Sequence, residues 1–215
     1  MNSLPDEAPS NRFAGRTGTL GWWSVACVLA LGALAALWVD VQRLDWQPGL
    51  APTQPWRWWS GAWVHWSLGH LGANLAGTAL IAALGARARA DRADAWAWFV
   101  AWPLTQLGLL VQPSLLHYGG LSGVLHAGVV IAAIGLVQRE SGSRRAVGWL
   151  ILVGVVLKVG VEQPWQGVLR EAPGWQITIA PAAHLSGAVA GLLCGLAALG
   201  WRWRQRGART VSIAR

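Results

Sequence analysis

Six apolar runs, separated by short segments that hold most of the charged residues, constrain the fold of this chain more than any other feature. The runs cover residues 20–39, 66–86, 95–111, 119–137, 146–161 and 180–201. A helix that crosses a bilayer needs about 20 predominantly apolar residues, and only the third and fifth runs are clearly shorter. We therefore predict an all-α fold: a polytopic membrane protein whose six transmembrane helices form one bundle.

The composition agrees with a single membrane-embedded bundle. Charged residues make up 12% of the 215 residues, about half the share found in ordinary soluble domains. The length suits one compact bundle better than two domains. We expect a cytoplasmic N-terminal tail at residues 1–19, a six-helix core at 20–201 and a basic cytoplasmic C-terminal tail at 202–215. The first tail lacks the basic-then-apolar order of a cleaved signal peptide, so the first run is expected to remain as a span.

The positions of Lys and Arg predict the orientation of the helices. Thirteen of the seventeen basic residues lie before the first run, between the second and third, between the fourth and fifth, or after the sixth. Cytoplasmic segments of membrane proteins are enriched in these residues, so both termini are predicted to be cytoplasmic. Membrane orientation therefore accounts for the excess of basic residues, which gives the chain a net charge of +8. We expect no nucleic-acid partner, because no aromatic–basic stripe lies on a polar surface.

Polar residues cluster near the starts of three helices. In this topology the second, fourth and sixth helices all begin on the extracytoplasmic side, with His70 and Asn74 on the second, Ser122 and His126 on the fourth, and His184 on the sixth. A helix rises about 1.5 Å per residue, so these residues lie at a similar depth. Polar groups are costly inside a membrane and usually face the bundle interior. We therefore predict that they form one site in the outer leaflet.

The chemistry predicted for this site is acyl transfer, which needs a nucleophile, a base and donors for the oxyanion. Ser122 supplies the hydroxyl, and the imidazole of His184 can take its proton. His70 and Asn74, at i and i+4 on one helix face, and the backbone N–H of Ser122 can donate hydrogen bonds to the oxyanion. No Asp or Glu lies in the second, fourth or sixth run. We therefore expect a Ser–His dyad, without a buried acid to orient His184.

Three glycines are expected to support this site. Gly120 and Gly123 lie on either side of Ser122 in the sequence, and both would allow a substrate backbone to approach the serine closely. Gly187 begins a series of three glycines at four-residue spacing on the sixth helix. Such spacing lets helix backbones pack closely in a membrane, so we assign Gly187 to packing.

The other histidines near the site have less defined roles. His126 lies one helical turn below Ser122, so it could pack beside His184 or form a hydrogen bond within the bundle. We expect it to support the site rather than to catalyse. His65 is expected to lie at the membrane interface without a chemical role. Taken singly, a Ser or His in a membrane helix more often has a structural role, so the prediction depends on their shared depth.

Short motifs along the chain resemble those of the rhomboid intramembrane serine proteases. Residues 120–123 (GLSG) and 183–191 (AHLSGAVAG) are similar to the rhomboid motifs around the serine and the histidine. Residues 70–74 (HLGAN) look like the H-x-x-x-N motif of the family, and residues 56–57 (WR) resemble a Trp-Arg pair in its first loop. His65 also falls where many members carry a histidine. The likeness covers nearly the whole six-helix core.

This resemblance implies a six-helix fold and a catalytic dyad of Ser122 and His184. It also implies an oxyanion hole formed by His70, Asn74 and the backbone N–H of Ser122. The expected substrate is a transmembrane protein, cleaved near its membrane span within the lipid bilayer of a bacterial inner membrane, at a site that opens to the extracytoplasmic side. Neither a metal nor another cofactor is expected, and the sequence contains no His-Glu-x-x-His motif of a metal-dependent protease.

Within the family, the short chain and residues 119–126 (GGLSGVLH) resemble the rhombosortase branch. Many other bacterial members carry Tyr at the position of His126, so the surroundings of the base differ here. The branch is thought to process proteins with a C-terminal Gly-Gly sorting tail, which consists of a short motif, a transmembrane helix and a basic cluster. Rhombosortase processing of such tails is therefore the function that we expect.

Three alternatives remain open at this point. The chain could be a general rhomboid that cleaves ordinary single-span proteins. It could also be a rhomboid-like protein that binds transmembrane helices without cleaving them, although the presence of both Ser122 and His184 argues against this. A transporter or channel would place ionisable residues near the middle of the membrane, whereas the polar cluster here is confined to one leaflet.

Overall fold

Six long helices follow the order of the six apolar runs in this computed structural model, which describes residues 11–112, 114–167, 169–172 and 177–213. They are α1 (Asn11–Ala35), α4 (Leu68–Arg87), α5 (Arg92–Leu104), α6 (Ser122–Arg139), α7 (Gly142–Glu162) and α8 (Pro181–Ile213). Two short helices, α2 (Val41–Leu44) and α3 (Arg57–Ser60), lie in the segment after α1. The prediction of an all-α polytopic bundle is confirmed.

Four of the helices in the described part of the chain are long and apolar enough to cross a membrane. Their candidate spans are Thr19–Trp38, Leu68–Arg87, Ser122–Arg139 and Pro181–Gln205. Helix α5 has 13 residues and contains Pro103 in its last turn, which removes a backbone donor. Helix α7 has 21 residues but carries charged side chains at both ends. Six crossings therefore stay a prediction.

The first and last helices are longer than the apolar runs on which they were predicted. Helix α1 begins at Asn11, within the predicted tail at 1–19, and α8 continues through much of the predicted tail at 202–215. Arg, Gln and Ala favour helix nearly as well as apolar residues do, so loss of hydropathy does not end a helix. Residues 1–10 and 214–215 of these tails lie outside the described residues.

The segment between α1 and α4 is organised around the buried guanidinium of Arg57. It donates hydrogen bonds to the carboxylate of Asp45 at 2.9 Å, to the Asp45 carbonyl at 2.6 Å and to the carbonyl of Gln42 at 2.9 Å. Both side chains of the Arg57–Asp45 pair are about 95% or more buried. The neighbouring Trp46 exchanges two backbone hydrogen bonds with Tyr118, at 2.8 and 2.9 Å. This segment therefore fixes the chain just before α6.

Helix α6 lies at the centre of the bundle, where it packs against α4, α5, α7 and α8. Its closest neighbour is α8, and the two backbones meet at Gly123 and Gly187. A methyl group at position 187 would collide with the carbonyl oxygen of Gly123, so the contact requires glycine. The assignment of Gly187 to helix packing agrees with this contact.

An ion cluster joins three helices at the other end of the bundle. The buried carboxylate of Asp94 on α5 accepts hydrogen bonds from Arg139 on α6 at 2.6 Å and from Arg202 on α8 at 2.9 Å. Asp91 and Asp94 also form a capping box at the start of α5, which satisfies N–H groups that the helix leaves unpaired. This end lies on the predicted cytoplasmic side.

A short hairpin separates α7 from α8 and adds two strands that the sequence did not predict. Strand β1 (Arg170–Ala172) pairs antiparallel with β2 (Ile177–Ile179), with Arg170 opposite Ile179. Three residues per strand are too few for a recognisable alternation of apolar and polar residues. The hairpin brings Ile179 to the start of α8, next to the predicted site.

Replacing Arg57 by alanine tests the role of its buried ion pair. Arg57→Ala leaves the buried carboxylate of Asp45 with only His117 and Gln47 as side-chain partners, so the free energy of unfolding is expected to fall by up to about 3–5 kcal/mol. Denaturation of the detergent-solubilised protein measures the change. Arg43→Ala, an exposed arginine in the same segment, serves as the control and is expected to cost less than about 1 kcal/mol. Equal losses in the two variants would contradict this role.

Candidate active site

The starts of α4, α6 and α8 meet at a groove of about 770 Å³, and all five predicted polar residues line it. These residues are His70, Asn74, Ser122, His126 and His184. Helix α7 contributes Lys158 and Glu162 to the same lining, and β2 contributes Ile179. A second cavity of about 390 Å³ shares Ser122 and His70 with the groove and continues past Ser67 and His117. The structure therefore brings these five polar residues together at one groove, and their roles stay a prediction.

Ser122 is the first residue of α6, and the first N–H groups of a helix lack acceptors within it. The chain reaches it through Gly120, whose φ of +133° favours glycine. A Cβ at this position would lie 2.9 Å from Cε1 of His70. Gly120 therefore brings the imidazole of His70 close to the backbone before Ser122, a reason for glycine that is independent of any substrate.

The Ser122 side chain forms a hydrogen bond with the phenol of Tyr118, whose hydroxyl donates to the carbonyl of Gly120 at 3.2 Å. Burial raises the pKa of Tyr118 to about 12, although hydrogen bonds from the Ser122 side chain and the Gly123 backbone counteract part of that rise. The phenol is therefore protonated near neutral pH and cannot act as a base. Within the described part of the chain, no hydrogen bond joins Ser122 to His184.

The imidazole of His184 is buried and is held at one nitrogen by a carboxylate. Its Nδ1 lies 2.6 Å from Oε2 of Glu162, and a carboxylate accepts a hydrogen bond, so the geometry places the proton on Nδ1. Lys158 forms an ion pair with Oε1 of the same carboxylate. Among the described residues, the buried Nε2 of His184 has no hydrogen-bond partner. This nitrogen is therefore the one with an unused lone pair.

The expectation that no acid orients His184 is wrong. That expectation considered only the three helices that were predicted to begin on the extracytoplasmic side, whereas Glu162 is the last residue of α7. A helix that ends on this side places its C-terminus at the same depth as the starts of α4, α6 and α8. The carboxylate of Glu162 thus reaches the first turn of α8 although the two residues are 22 positions apart.

His126 takes both placements that were left open, since it packs beside His184 and forms a hydrogen bond within the bundle. The two rings are stacked, with centroids 4.3 Å apart and planes 17° apart. Nδ1 of His126 also lies 2.6 Å from the carbonyl oxygen of Ser122. His126 therefore links the backbone of the serine to the face of the second imidazole, a geometry suited to support.

His65, which was expected to lie at the membrane interface without a chemical role, contacts two residues of the site. Its Nε2 accepts a hydrogen bond from Nδ2 of Asn74 at 2.9 Å, and its Nδ1 lies 3.0 Å from the carbonyl of Trp63. Its ring also packs edge-on against His70, with centroids 5.0 Å apart. His65 thus orients the Asn74 amide, which keeps a second N–H that can donate into the groove.

The fold around this site matches a known family over most of the chain. The family model described as Rhomboid domain matches residues 52–201, from the segment before α3 to the charged end of α8. This chain belongs to the rhomboid family. Members of the family are generally intramembrane serine proteases. In a comparison with curated proteins, none matches this rhomboid.

Two residues at the site of this rhomboid were not predicted from the sequence. Tyr118 is the only tyrosine of the chain and directly precedes Gly119 and Gly120, a position that could have marked it. Glu162 lies four residues after Lys158 at the end of an apolar run. An acid–base pair at i and i+4 is ordinarily read as a stabilising helix pair, which is why its second contact was not recognised.

The histidine that holds Asn74 is expected to make the stability of the protein depend on pH. Burial, and next the nearby His70, lower the pKa of His65 to about 4. Between about pH 4 and 6.5 the unfolded chain binds this proton and the folded chain does not, so stability is complete above pH 6.5 and falls as the pH is lowered. The change is at most about 3 kcal/mol.

Thermal denaturation in detergent at several pH values measures this effect. His65→Gln removes the titrating group, so its melting temperature is expected to fall less steeply between pH 6.5 and 4 than that of the wild type. The difference between the two slopes isolates His65 from the other titrating groups. Parallel slopes would show that His65 does not resist protonation in the folded protein.

Proposed function

We propose that this rhomboid is an intramembrane serine endopeptidase in which Ser122 is the nucleophile and His184 is the base. The observation that carries the proposal is the state of His184. Its Nδ1 is bound to a carboxylate, its buried Nε2 has no partner among the described residues, and the residue lines the same groove as Ser122. A base for a serine hydroxyl needs this unprotonated nitrogen facing the nucleophile.

In the proposed reaction, the hydroxyl of Ser122 turns from Tyr118 toward Nε2 of His184. Apo active sites often have loose catalytic hydrogen bonds that tighten with substrate. The Ser122 oxygen attacks the scissile carbonyl carbon while its proton passes to Nε2. The imidazolium then gives this proton to the leaving amine nitrogen as the C–N bond breaks, and an acyl-enzyme ester remains on Ser122.

The oxyanion of the tetrahedral intermediate is proposed to accept hydrogen bonds from three donors. These are the N–H of Ser122 at the start of α6, the second N–H of the Asn74 amide and the imidazole of His70 beside Gly120. Donors that are held in place before the reaction stabilise charge that appears only in the transition state. The hydrogen bond to His65 holds the Asn74 amide in this way.

The shape of the groove supports a membrane-anchored substrate. Away from the polar end, its walls are apolar side chains of α4 and α7, among them Leu80 and Ile81 on one side and Ile151 and Val155 on the other. Such walls fit a hydrophobic segment that enters from the bilayer. The second cavity, which continues past Ser67 and His117, gives water a separate path to Ser122.

Within this function, we propose rhombosortase processing of C-terminal Gly-Gly sorting tails. The proposal depends on the GGLSGVLH sequence at residues 119–126 and on His126, which occupies the position of a common tyrosine. General cleavage of single-span proteins is the alternative. Mass analysis of the released product tests both, because a sorting function requires cleavage next to the Gly-Gly motif. The same measurement shows whether water or another acceptor receives the acyl group.

The location that we propose is a bacterial inner membrane, with both termini in the cytoplasm and the groove opening to the extracytoplasmic side. The positions of the basic residues support this orientation, including the ion cluster of Arg139 and Arg202 at the opposite end of the bundle from Ser122. We also propose that residues 20–201 are the protease core, with cytoplasmic tails at 1–19 and 202–215. Helices α1 and α8 extend into these two tails.

Labelling with a fluorophosphonate probe tests the nucleophile directly. The wild type is expected to be labelled, whereas Ser122→Ala is not, and both Ser122→Ala and His184→Ala are expected to lose cleavage of a transmembrane substrate while still inserting in the membrane. Ser24→Ala is the matched control, because the hydroxyl of Ser24 donates to the Leu20 carbonyl one turn earlier on α1. It is expected to keep full labelling and cleavage.

Normal substrate processing by purified Ser122→Ala protein would end the proposal. A folded wild-type protein that binds transmembrane helices, but neither reacts with the probe nor cleaves, would instead favour the non-catalytic alternative.

Changes to the oxyanion donors are expected to slow the reaction without removing the nucleophile. His70→Ala and Asn74→Ala should each lower kcat by about 10²–10³, as loss of one such donor does in other enzymes. Steady-state cleavage of a model substrate measures this, and Thr78→Val, one turn further along α4 and also buried, controls for packing. An unchanged rate in the double variant would remove both residues from the oxyanion hole.

A further inference from the structure

The end of α7 carries a group of charges to which the proposed reaction has not yet assigned a role. Glu162 binds Nδ1 of His184 with one carboxylate oxygen and Lys158 with the other. The Glu162 side chain is about 85% buried, and that of His184 is almost completely buried. The backbone carbonyl of Glu162 accepts a hydrogen bond from Arg170 of β1 at 3.0 Å. The carboxylate is therefore held in place from both α7 and the hairpin.

This position matters because of what happens to His184 during the reaction. When Nε2 takes the proton of Ser122, the ring becomes a cation that is almost fully removed from water. A carboxylate 2.6 Å from Nδ1 stabilises this cation and keeps the ring in the tautomer that leaves Nε2 able to accept the proton. Without it, the Nδ1–H would be a buried donor facing an apolar groove.

We propose that Glu162 is a positioning residue that extends the dyad to a Ser122–His184–Glu162 triad. The proposal rests on the proposed function, since it assigns Glu162 a duty only if His184 is the base. The proton moves from Ser122 to Nε2 and then to the leaving amine nitrogen, while Nδ1 keeps its own proton throughout. Glu162 stays ionised and exchanges no proton, so no further reactant is needed.

The arrangement around the two imidazoles supports this role over a purely structural ion pair. His126 fixes one face of the His184 ring by stacking, and its own Nδ1 is held by the Ser122 carbonyl. Stacking defines the plane of the ring but still permits a half-turn flip about the Cβ–Cγ bond, which would exchange the positions of its nitrogen and carbon atoms. The hydrogen bond to Glu162 removes this remaining freedom, because it selects which nitrogen points into the groove.

The test compares Glu162→Gln with the wild type in the full-length protein, using a transmembrane model substrate and a fluorophosphonate probe. Glutamine keeps the shape and one acceptor oxygen but removes the charge. Hydrogen bonds to charged groups are the strong ones, so kcat is expected to fall about 10- to 100-fold. KM is expected to stay within about twofold, because Glu162 acts through His184. Probe labelling of Ser122 is expected to slow by a similar factor.

Two further variants separate positioning from packing. Glu162→Asp restores the carboxylate on a shorter side chain and is expected to recover activity above the level of Glu162→Gln. Glu140→Gln is the matched control, since Glu140 is also ion-paired at a helix end, with Arg89 and Arg144, but lies at the other end of α6. It is expected to leave kcat unchanged.

A wild-type kcat in Glu162→Gln would overturn the triad, and so would a loss that appears only in KM or only as a smaller folded fraction. If Glu162→Gln does not fold, a Glu162→Asp protein that folds but is no more active than background overturns it as well. Failure of the proposed function looks different. In that case the wild type itself is not labelled at Ser122. Equal labelling of the wild type and Glu162→Gln instead contradicts only the role of Glu162.

Discussion

The geometry of the site depends on one contact, the meeting of two helix backbones at Gly123 and Gly187. Each glycine lies within one turn of a residue that matters, since Ser122 precedes Gly123 and His184 lies three residues before Gly187. A side chain at position 187 would have to displace the Gly123 carbonyl, which would move α8 away from α6. Helices in a membrane associate through such close packing rather than through the hydrophobic effect. Because neither glycine has a side chain, the two helices approach closely enough to bring Ser122 and His184 to the same groove.

A second constraint acts at the far end of the same two helices. The buried carboxylate of Asp94 on α5 joins Arg139 on α6 to Arg202 on α8. Charges buried in this way are costly when unpaired, so the cluster strongly disfavours separation of the three helices. With glycines at one end and ions at the other, α6 and α8 are held at both ends. Helices α4 and α7 form the walls of the groove beside this fixed pair.

Much of the fold followed from the sequence because the information lies in long apolar runs and in the sides on which arginine falls. The shared depth of Ser122 and His184 could be predicted because it needs only the direction of each helix. The end of the fifth run at residue 161 gives the depth of Glu162 as well, but its contact with His184 could not be predicted, since an acid four residues after a lysine ordinarily forms a pair on the helix surface. The contacts of Tyr118 and His65 depend on the path of loops, which has no periodicity to reveal it. The hairpin is hidden for the same reason.

Helix α7 contacts the rest of the bundle unevenly, and this has a consequence for how the groove can change. Among its described residues only Gly148 and Val159 are fully buried, and the helix packs mainly on α6. Its last residue nevertheless holds the imidazole of His184. Any displacement of α7 that widens the groove at this wall would also lengthen the hydrogen bond between Glu162 and His184. The width of the groove and the position of the His184 ring are therefore set by the same helix.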